Sequence, residues 1–432
     1  MSATGIGILG FIALIVLIFI KMPVGFAMIL VGFVGFACLV SWQAAMVPIA
    51  HDFFSVFNSY NLTVIPLFIF MGQCAFHSGI STRLFNVAHK FIGHLPGGLA
   101  IATVGACAAF SAICGSTSAT AATMASVALP EMKKHNYDPS LATGVVAAAG
   151  SLGILIPPST IFIVYSIMTE QSIAKLFMAG VLPGIILSIL FALTIVIWTS
   201  LKPEVGPRGE KSTYRDRLRS LSDLIETLIL FIIVMGGLFI GIFTATEAAG
   251  VGALGTLLIS LVKRNLSWEK FVKALDDTIR ITCMIMIIVA GATIFGHFLA
   301  ITEIPANIAL WVGELSLHPM VIMIAIITIY ILLGSMMDSL AMVMLTIPIF
   351  FPLTVSLGFN PIWFGVIIVL VAEIGTITPP IGINVYVVAG VARTVPLETI
   401  FKGTIWMIMS LLILIILLLF FPQIALFLPS LM

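Results

Sequence analysis

YDPSLATGVVAAAGSLGILIPPSTI, residues Tyr137 to Ile161, returns later in the chain as FNPIWFGVIIVLVAEIGTITPPIGI, Phe359 to Ile383. The offset is constant at 222 residues (361 − 139, 375 − 153): Pro139 meets Pro361, Gly153 meets Gly375, and Pro157-Pro158 meet Pro379-Pro380. Upstream, GSTSATAATMASVALP from Gly115 matches GSMMDSLAMVMLTIP from Gly334 with a slip of a few residues. Downstream, Gly180 lines up with Gly403. Apolar segments resemble one another by chance, but a proline pair, a glycine before it and a further proline at one shared spacing are poorly explained that way.

Proline has no amide donor and disfavours helix in the residue before it. A proline pair inside a long apolar segment therefore interrupts the helix, frees carbonyl oxygens and exposes a half-helix amino terminus. Irregular backbone at membrane depth is tolerated only where it is buried or lines a cavity. A simple proline kink is the plainer reading of one such segment; symmetric duplication argues against it.

Composition puts both copies in a membrane. Of 432 residues, 61% are hydrophobic and 9% charged, and mean hydropathy is +1.24. A soluble domain carries roughly 25% charged residues. Apolar runs such as GIGILGFIALIVLIFI and IWMIMSLLILIILLLFF recur from end to end, each long enough as a helix to cross about 30 Å of hydrocarbon. Backbone amides in lipid must be satisfied within their own segment. The fold class is all-α, a polytopic integral membrane protein. The net charge of +1 points to no nucleic-acid partner. Cys38, Cys74, Cys107, Cys114 and Cys283 lie in apolar stretches without metal-ligand spacing and read as small hydrophobes. The first apolar run has no basic residue before it and no convincing cleavage site after it, so it reads as a retained span.

Lysine and arginine mark cytoplasmic loops. With the amino terminus outside, spans at about 4–20, 23–42 and 62–80 place Lys21, Arg83 and Lys90 inside and leave the stretch 43–61, with Asp52, outside. KPEVGPRGEKSTYRDRLRS, from Lys202, holds six of the nineteen basic residues and is the natural cytoplasmic linker. KRNLSWEKFVK from Lys263, then Arg393 and Lys402, fall inside; the stretch from Ile301 to Pro319 falls outside. Only Lys175 is then external, and both termini are expected in the periplasm. Trp42, Trp268, Trp311 and Trp363 fall near expected span ends, where amphipathic rings favour the interface.

The domain plan is a first half over 1–201, a linker over 202–221 and a second half over 222–432. Each half is expected to hold a re-entrant hairpin (about 96–133 and 319–354) and a discontinuous helix (about 139–167 and 361–392). The first copy's broken helix starts inside and the second copy's outside, so the repeat is inverted, as in many secondary transporters. GSTSA and GSMMDS interrupt apolar runs without charged loops around them and read as hairpin tips. Their hydroxyls and free carbonyls are hard oxygen ligands suited to a hard cation such as sodium. Half-helix amino termini favour an anion beside it. Small-residue helix packing is the plainer account of any single serine or threonine. Asp338 in the second tip and Glu373 near the broken-helix glycine are carboxylates within spans, where charge is costly and wants a partner or a role. Glu247 sits near an interface and reads as structural; His297 is either a pathway residue or a satisfied buried histidine.

At these residues the chain resembles the large membrane subunit of TRAP transporters (tripartite ATP-independent periplasmic, DctM type). The markers are IPLFIFMG from Ile65, the GSTSAT tip, the doubled GxxxPP elements and GIN at Gly382–Asn384, and the resemblance covers essentially the whole length. It implies an elevator-type secondary transporter driven by sodium, without other cofactors. It also implies a small four-span subunit (DctQ type) and a periplasmic binding protein (DctP type), in a bacterial inner membrane. Carried over, sodium positions fall on Ser116, Thr117, Gly150 and Gly153 in one half and on Gly334, Asp338, Gly375, Thr376 and Thr378 in the other. Substrate positions fall on Ser118, Ser159 and Asn384. Small organic acid anions (dicarboxylates, 2-oxo acids, sugar acids, sialic acid) all fit such a site. A stand-alone sodium/dicarboxylate symporter needing no binding protein is the alternative. An intramembrane enzyme lacks its nucleophile–base pair or metal motif here, and a channel does not account for inverted broken helices.

Overall fold

The computed structural model describes residues 2–209, 211–314 and 317–432; Glu210 of the expected linker and positions 315 and 316 of the expected external stretch lie outside it. Every regular element among the described residues is helical. The chain opens with α1 (Ala3–Phe19), α2 (Val24–Leu39) and α3 (Trp42–Phe57). A bend of 48° and a short 3-10 turn lead into α4 (Val64–His77), followed by α5 (Ile80–Ile92). The stretch 43–61, expected only as an external connection, is thus mostly helix, and α3 buries Asp52.

Two helices, α6 (Gly98–Cys114) and α7 (Thr117–Lys134), form the first hairpin, and α8 (Pro139–Leu155) and α9 (Thr160–Thr169) the first broken helix. The long α10 (Ile173–Leu201) closes the first half. The expected linker is helical in its second part, since α11 (Tyr214–Phe231) begins within it and passes through a π-helical turn into α12 (Gly237–Phe239); α13 (Ala245–Val262), α14 (Trp268–Thr302) and α15 (Ile304–Glu314) follow. The architecture then repeats: α16 (Pro319–Gly334) and α17 (Ser339–Ser356), α18 (Pro361–Ile377) and α19 (Ile383–Ala392), and α20 (Leu397–Phe420), with α21 (Gln423–Leu426) at the end. Six helices among the described residues are long and apolar enough to cross a membrane, or up to eight if each bent pair is one span.

The broken helices start where they do for a local reason. Asp138 caps α8 by accepting from Ser140 N at 2.8 Å, and Asn360 caps α18 by accepting from Ile362 N at 2.9 Å. Each cap precedes a proline at the first helical position, where its missing amide is not needed. Both helices run seventeen residues, and both end just before the proline pairs, whose Pro-Pro bonds are cis. Nearly every residue of α8 and α18 is buried, and the two helices pack on each other. Lipid is as apolar as leucine, so this association rests on close packing and satisfied polar groups rather than on the hydrophobic effect. One such group is Tyr165, whose hydroxyl donates to Pro361 O at 2.6 Å and ties α9 to α18. Trp363, expected at the interface, is buried and donates to Leu418 O at 2.9 Å.

Around this core stand α2, α4, α13 and α14, which pack on one another. His77 and Asp277, 3.3 Å apart, join α4 to α14, while Glu226 of α11 meets Lys263 at 2.8 Å and Arg83 of α5 at 3.8 Å.

Candidate functional site

The first hairpin turns in two residues. Gly115 takes a left-handed φ of 64°, open to glycine at little cost, and a Cβ there would stand 2.8 Å from Pro158 O. Ser116 then caps α7, its hydroxyl accepting from Ala119 N at 3.4 Å. The turn leans on the broken helix: Thr160 Oγ1 donates to Gly115 O at 3.3 Å, and a Cβ on Gly153 would lie 2.5 Å from Ser116 O. Gly150 lies one turn earlier against Ala121 of α7.

The second tip is longer, four residues between Gly334 and Ser339. Asp338 caps α17, accepting from Leu340 N at 3.0 Å. Since α7 and α17 both run eighteen residues and start 222 apart (339 − 117), Asp338 occupies the place of Ser116. The match of Gly115 to Gly334 is therefore corrected; the extra residues sit in the turn, not the helix. The downstream match shifts too: Gly180 approaches Leu155 O, and the residue meeting the equivalent Ile377 O is Thr404, which donates to it at 3.0 Å. Again the broken helix supports the tip. Ile381 N donates to Ser335 O at 3.1 Å, and Ser339 Oγ donates to Ala372 O at 3.4 Å.

Both tips face one cavity of about 230 Å³. Ser116, Thr117 and Ser118 line it from one side and Asp338, Ser339 and Leu340 from the other, with Cys114, Thr160 and Ile161 alongside. Its far wall belongs to the surrounding helices: Ile69 and Gln73 of α4, and Ile281, Met284 and Ile285 of α14. None of these lining residues is lysine, arginine or histidine. Gln73 escaped the sequence reading, although an amide in an otherwise apolar helix is the signal that finds it. Its neighbour Gly72, last residue of IPLFIFMG, presses on tip 1: a Cβ there would meet Cys114 O at 2.6 Å.

Other expected residues lie behind the cavity. Ser159 is fully buried and caps α9, accepting from Phe162 N at 3.3 Å. Asn384 is fully buried; its Nδ2 donates to Ala147 O of α8 at 3.2 Å and to Thr376 Oγ1 at 3.5 Å. Thr376 and Thr378 donate their hydroxyls back into α18, to Glu373 O and Ile374 O. Glu373 is fully buried in α18. Glu247 completes a capping box with Thr244 at the start of α13, a structural role. His297 is neither a cavity residue nor a buried one: its ring is half-exposed, with Nε2 3.2 Å from Asp52 Oδ2.

Chemically, the tips offer hydroxyls, a carboxylate and the amino-terminal ends of α7 and α17, a hard-oxygen set beside partial positive charge. Such donors fit sodium. Among the described residues no three His, Cys, Asp or Glu gather as a metal cluster.

The family described as Tripartite ATP-independent periplasmic transporter, DctM component, matches residues 11–424. The C4-dicarboxylate TRAP transporter large permease protein DctM of Pseudomonas aeruginosa is 37% identical over 88% of this chain and 89% of that protein. The sialic acid TRAP transporter large permease protein SiaM of Vibrio cholerae is 32% identical over 96% of each. Among solved structures, the Alcanivorax borkumensis YdaH transporter superposes with a TM-score of 0.65 over 88% of each chain at 14% identity, a likeness of fold. The chain belongs to the DctM family of tripartite ATP-independent periplasmic transporter components and is a transport protein rather than an enzyme.

Proposed function

We propose that this chain is the transport subunit of a sodium-coupled, binding-protein-dependent carrier importing small organic acid anions across a bacterial inner membrane. The observation that carries the reading is the meeting of Ser116 and Asp338, equivalent caps of two repeated hairpin helices, at one cavity. One sodium belongs to tip 1 with Gly150 and Gly153, and one to tip 2 with Gly375, Thr376 and Thr378. Ser118, open to the cavity, meets the substrate; Ser159 and Asn384 hold the backbone around it. Relatives named for a C4-dicarboxylate and for sialic acid support an organic acid anion as cargo. Family membership supports a DctQ-type small subunit and a DctP-type binding protein as partners.

Movement is of the elevator kind: the two hairpins and broken helices slide as one body along α2, α4 and α14. A second cavity of about 440 Å³ runs from Asp338 and Met284 to Pro23–Phe26. Its Pro23 end lies two residues along the chain from Lys21, on the side that the positive residues mark as cytoplasmic. The reading is of an inward-facing state with periplasmic termini.

Uptake into proteoliposomes tests the assignment. The chain alone should transport nothing; activity should need the small subunit, the binding protein and an inward sodium gradient. Robust uptake by the chain alone would return the stand-alone symporter, which family membership does not favour.

A further inference from the structure

Ile69 and Gln73 stand four residues apart on α4, hence on one face of it, and both line the cavity between the tips. Around them Phe68, Met71, Cys74 and Ala75 are apolar and buried, and Gln73 itself is only 8% exposed. Most polar groups of the cavity are engaged: Ser116 caps α7, Asp338 caps α17, Thr160 donates to Gly115 O and Ser339 to Ala372 O. None of these bonds reaches Gln73, whose amide has no hydrogen-bond partner among the described residues. A buried amide left unpaired is costly, so cohesion of α4 with its neighbours does not account for it.

Gln73 also has the chemistry that the tips lack. Their side chains offer hydroxyls and one carboxylate, and among the described lining residues Gln73 carries the one side-chain N–H. An amide N–H donates to a carboxylate without bringing charge, so it orients an anion and still lets it leave. An arginine in its place would hold the anion by paired, charge-assisted bonds. We propose that the Gln73 amide donates to a carboxylate of the transported anion from the α4 wall, while the hairpin tips hold that anion from their own side. This role rests on the carrier reading above and adds a specificity residue outside the hairpins and broken helices. Its neighbour Gly72 is packed on tip 1, where a Cβ would stand 2.6 Å from Cys114 O. Gln73 therefore meets the anion only while tip 1 stands at this height on α4.

The test is anion binding to the purified full-length chain in nanodiscs, titrated calorimetrically with succinate, pyruvate, gluconate and sialic acid in sodium chloride. Thermal unfolding without anion runs beside it. Gln73→Leu keeps most of the side chain's bulk and removes the amide. It should bind the anion more weakly by about tenfold or more, the loss of one hydrogen bond to a charged group. Without anion it should unfold no lower than wild type, because the amide it loses is unpaired. Unchanged anion affinity in Gln73→Leu overturns the role and leaves the carrier reading intact. Weaker binding together with a lowered unfolding temperature makes Gln73 a packing residue and also overturns the role. No binding of any of the four anions by wild type overturns both. Should Gln73→Leu fail to fold, Gln73→Cys in a cysteine-free background decides. Saturating anion should slow its reaction with a small methanethiosulfonate reagent, and an unchanged rate overturns the role.

Discussion

Gly375 lies so close to Gly334 that a Cβ on it would stand 2.4 Å from the Gly334 carbonyl carbon. Gly153, at the equivalent place in the first repeat, meets Ser116 O at 2.5 Å in the same sense. In each half a glycine of the broken helix lets a hairpin tip rest on backbone, which holds that tip's carbonyls in place.

Gly153→Ala and Gly375→Ala should therefore each destabilise the protein by about 1–3 kcal/mol, the usual cost of overpacking. Gly105→Ala on α6, with nothing within 4 Å of its Cβ, is the control. It should be neutral or gain ~0.5–1 kcal/mol from helix propensity. Thermal unfolding of the three variants in one detergent checks this, and equal melting would show that the tips do not depend on the glycines.

The caps can be separated from the cation. Ser116→Ala removes a cap, costing about 1 kcal/mol, whereas Asp338→Asn keeps one, because asparagine caps as well as aspartate. Both variants should insert normally and both should lose sodium-driven uptake. Normal uptake with unchanged sodium dependence in either variant takes that residue off the site.

Import should carry net positive charge inward, with at least two sodium ions per substrate, since each half presents a tip and a broken helix. Each charge moved down 100 mV contributes about 2.3 kcal/mol. Two sodium ions with a monoanion gain one charge; with a dianion a third ion is needed. Uptake should accelerate under an inside-negative potassium–valinomycin potential at fixed sodium, and sodium dependence should be sigmoidal. Hyperbolic dependence with voltage-independent uptake would count against two coupled tips.

The cavity should be reachable from the side where Pro23 and Met284 line its continuation. A Ser118→Cys variant in a cysteine-free background should react with a membrane-impermeant maleimide in inside-out vesicles and be slow in right-side-out cells. The cysteine-free background matters because Cys38 and Cys283 are exposed in the native chain. Fast reaction only from outside would reverse either the orientation or the state.

Both broken helices are legible in the sequence because their causes are local. Asp138-Pro139 and Asn360-Pro361 start helices by capping, and the proline pairs end them by removing donors. The hairpin register is less legible. Both tips begin at glycines, yet the turns differ in length, so matching glycine to glycine slips the frame by a few residues. The frame is restored by where each following helix is capped, at Ser116 and at Asp338.

By itself, then, the sequence determined the membrane class, the duplication and the two interruptions in each copy, all set by composition, spacing and the backbone chemistry of proline and glycine. Tertiary structure alone decided that Gln73 faces the cavity, that Asn384 is bonded to Ala147 and does not line it, and that His297 meets Asp52 rather than lining the cavity between the tips. These are contacts between residues tens to hundreds of positions apart. In an apolar helix every face reads alike, and only the packing of neighbouring helices selects which polar side chain is left to look inward.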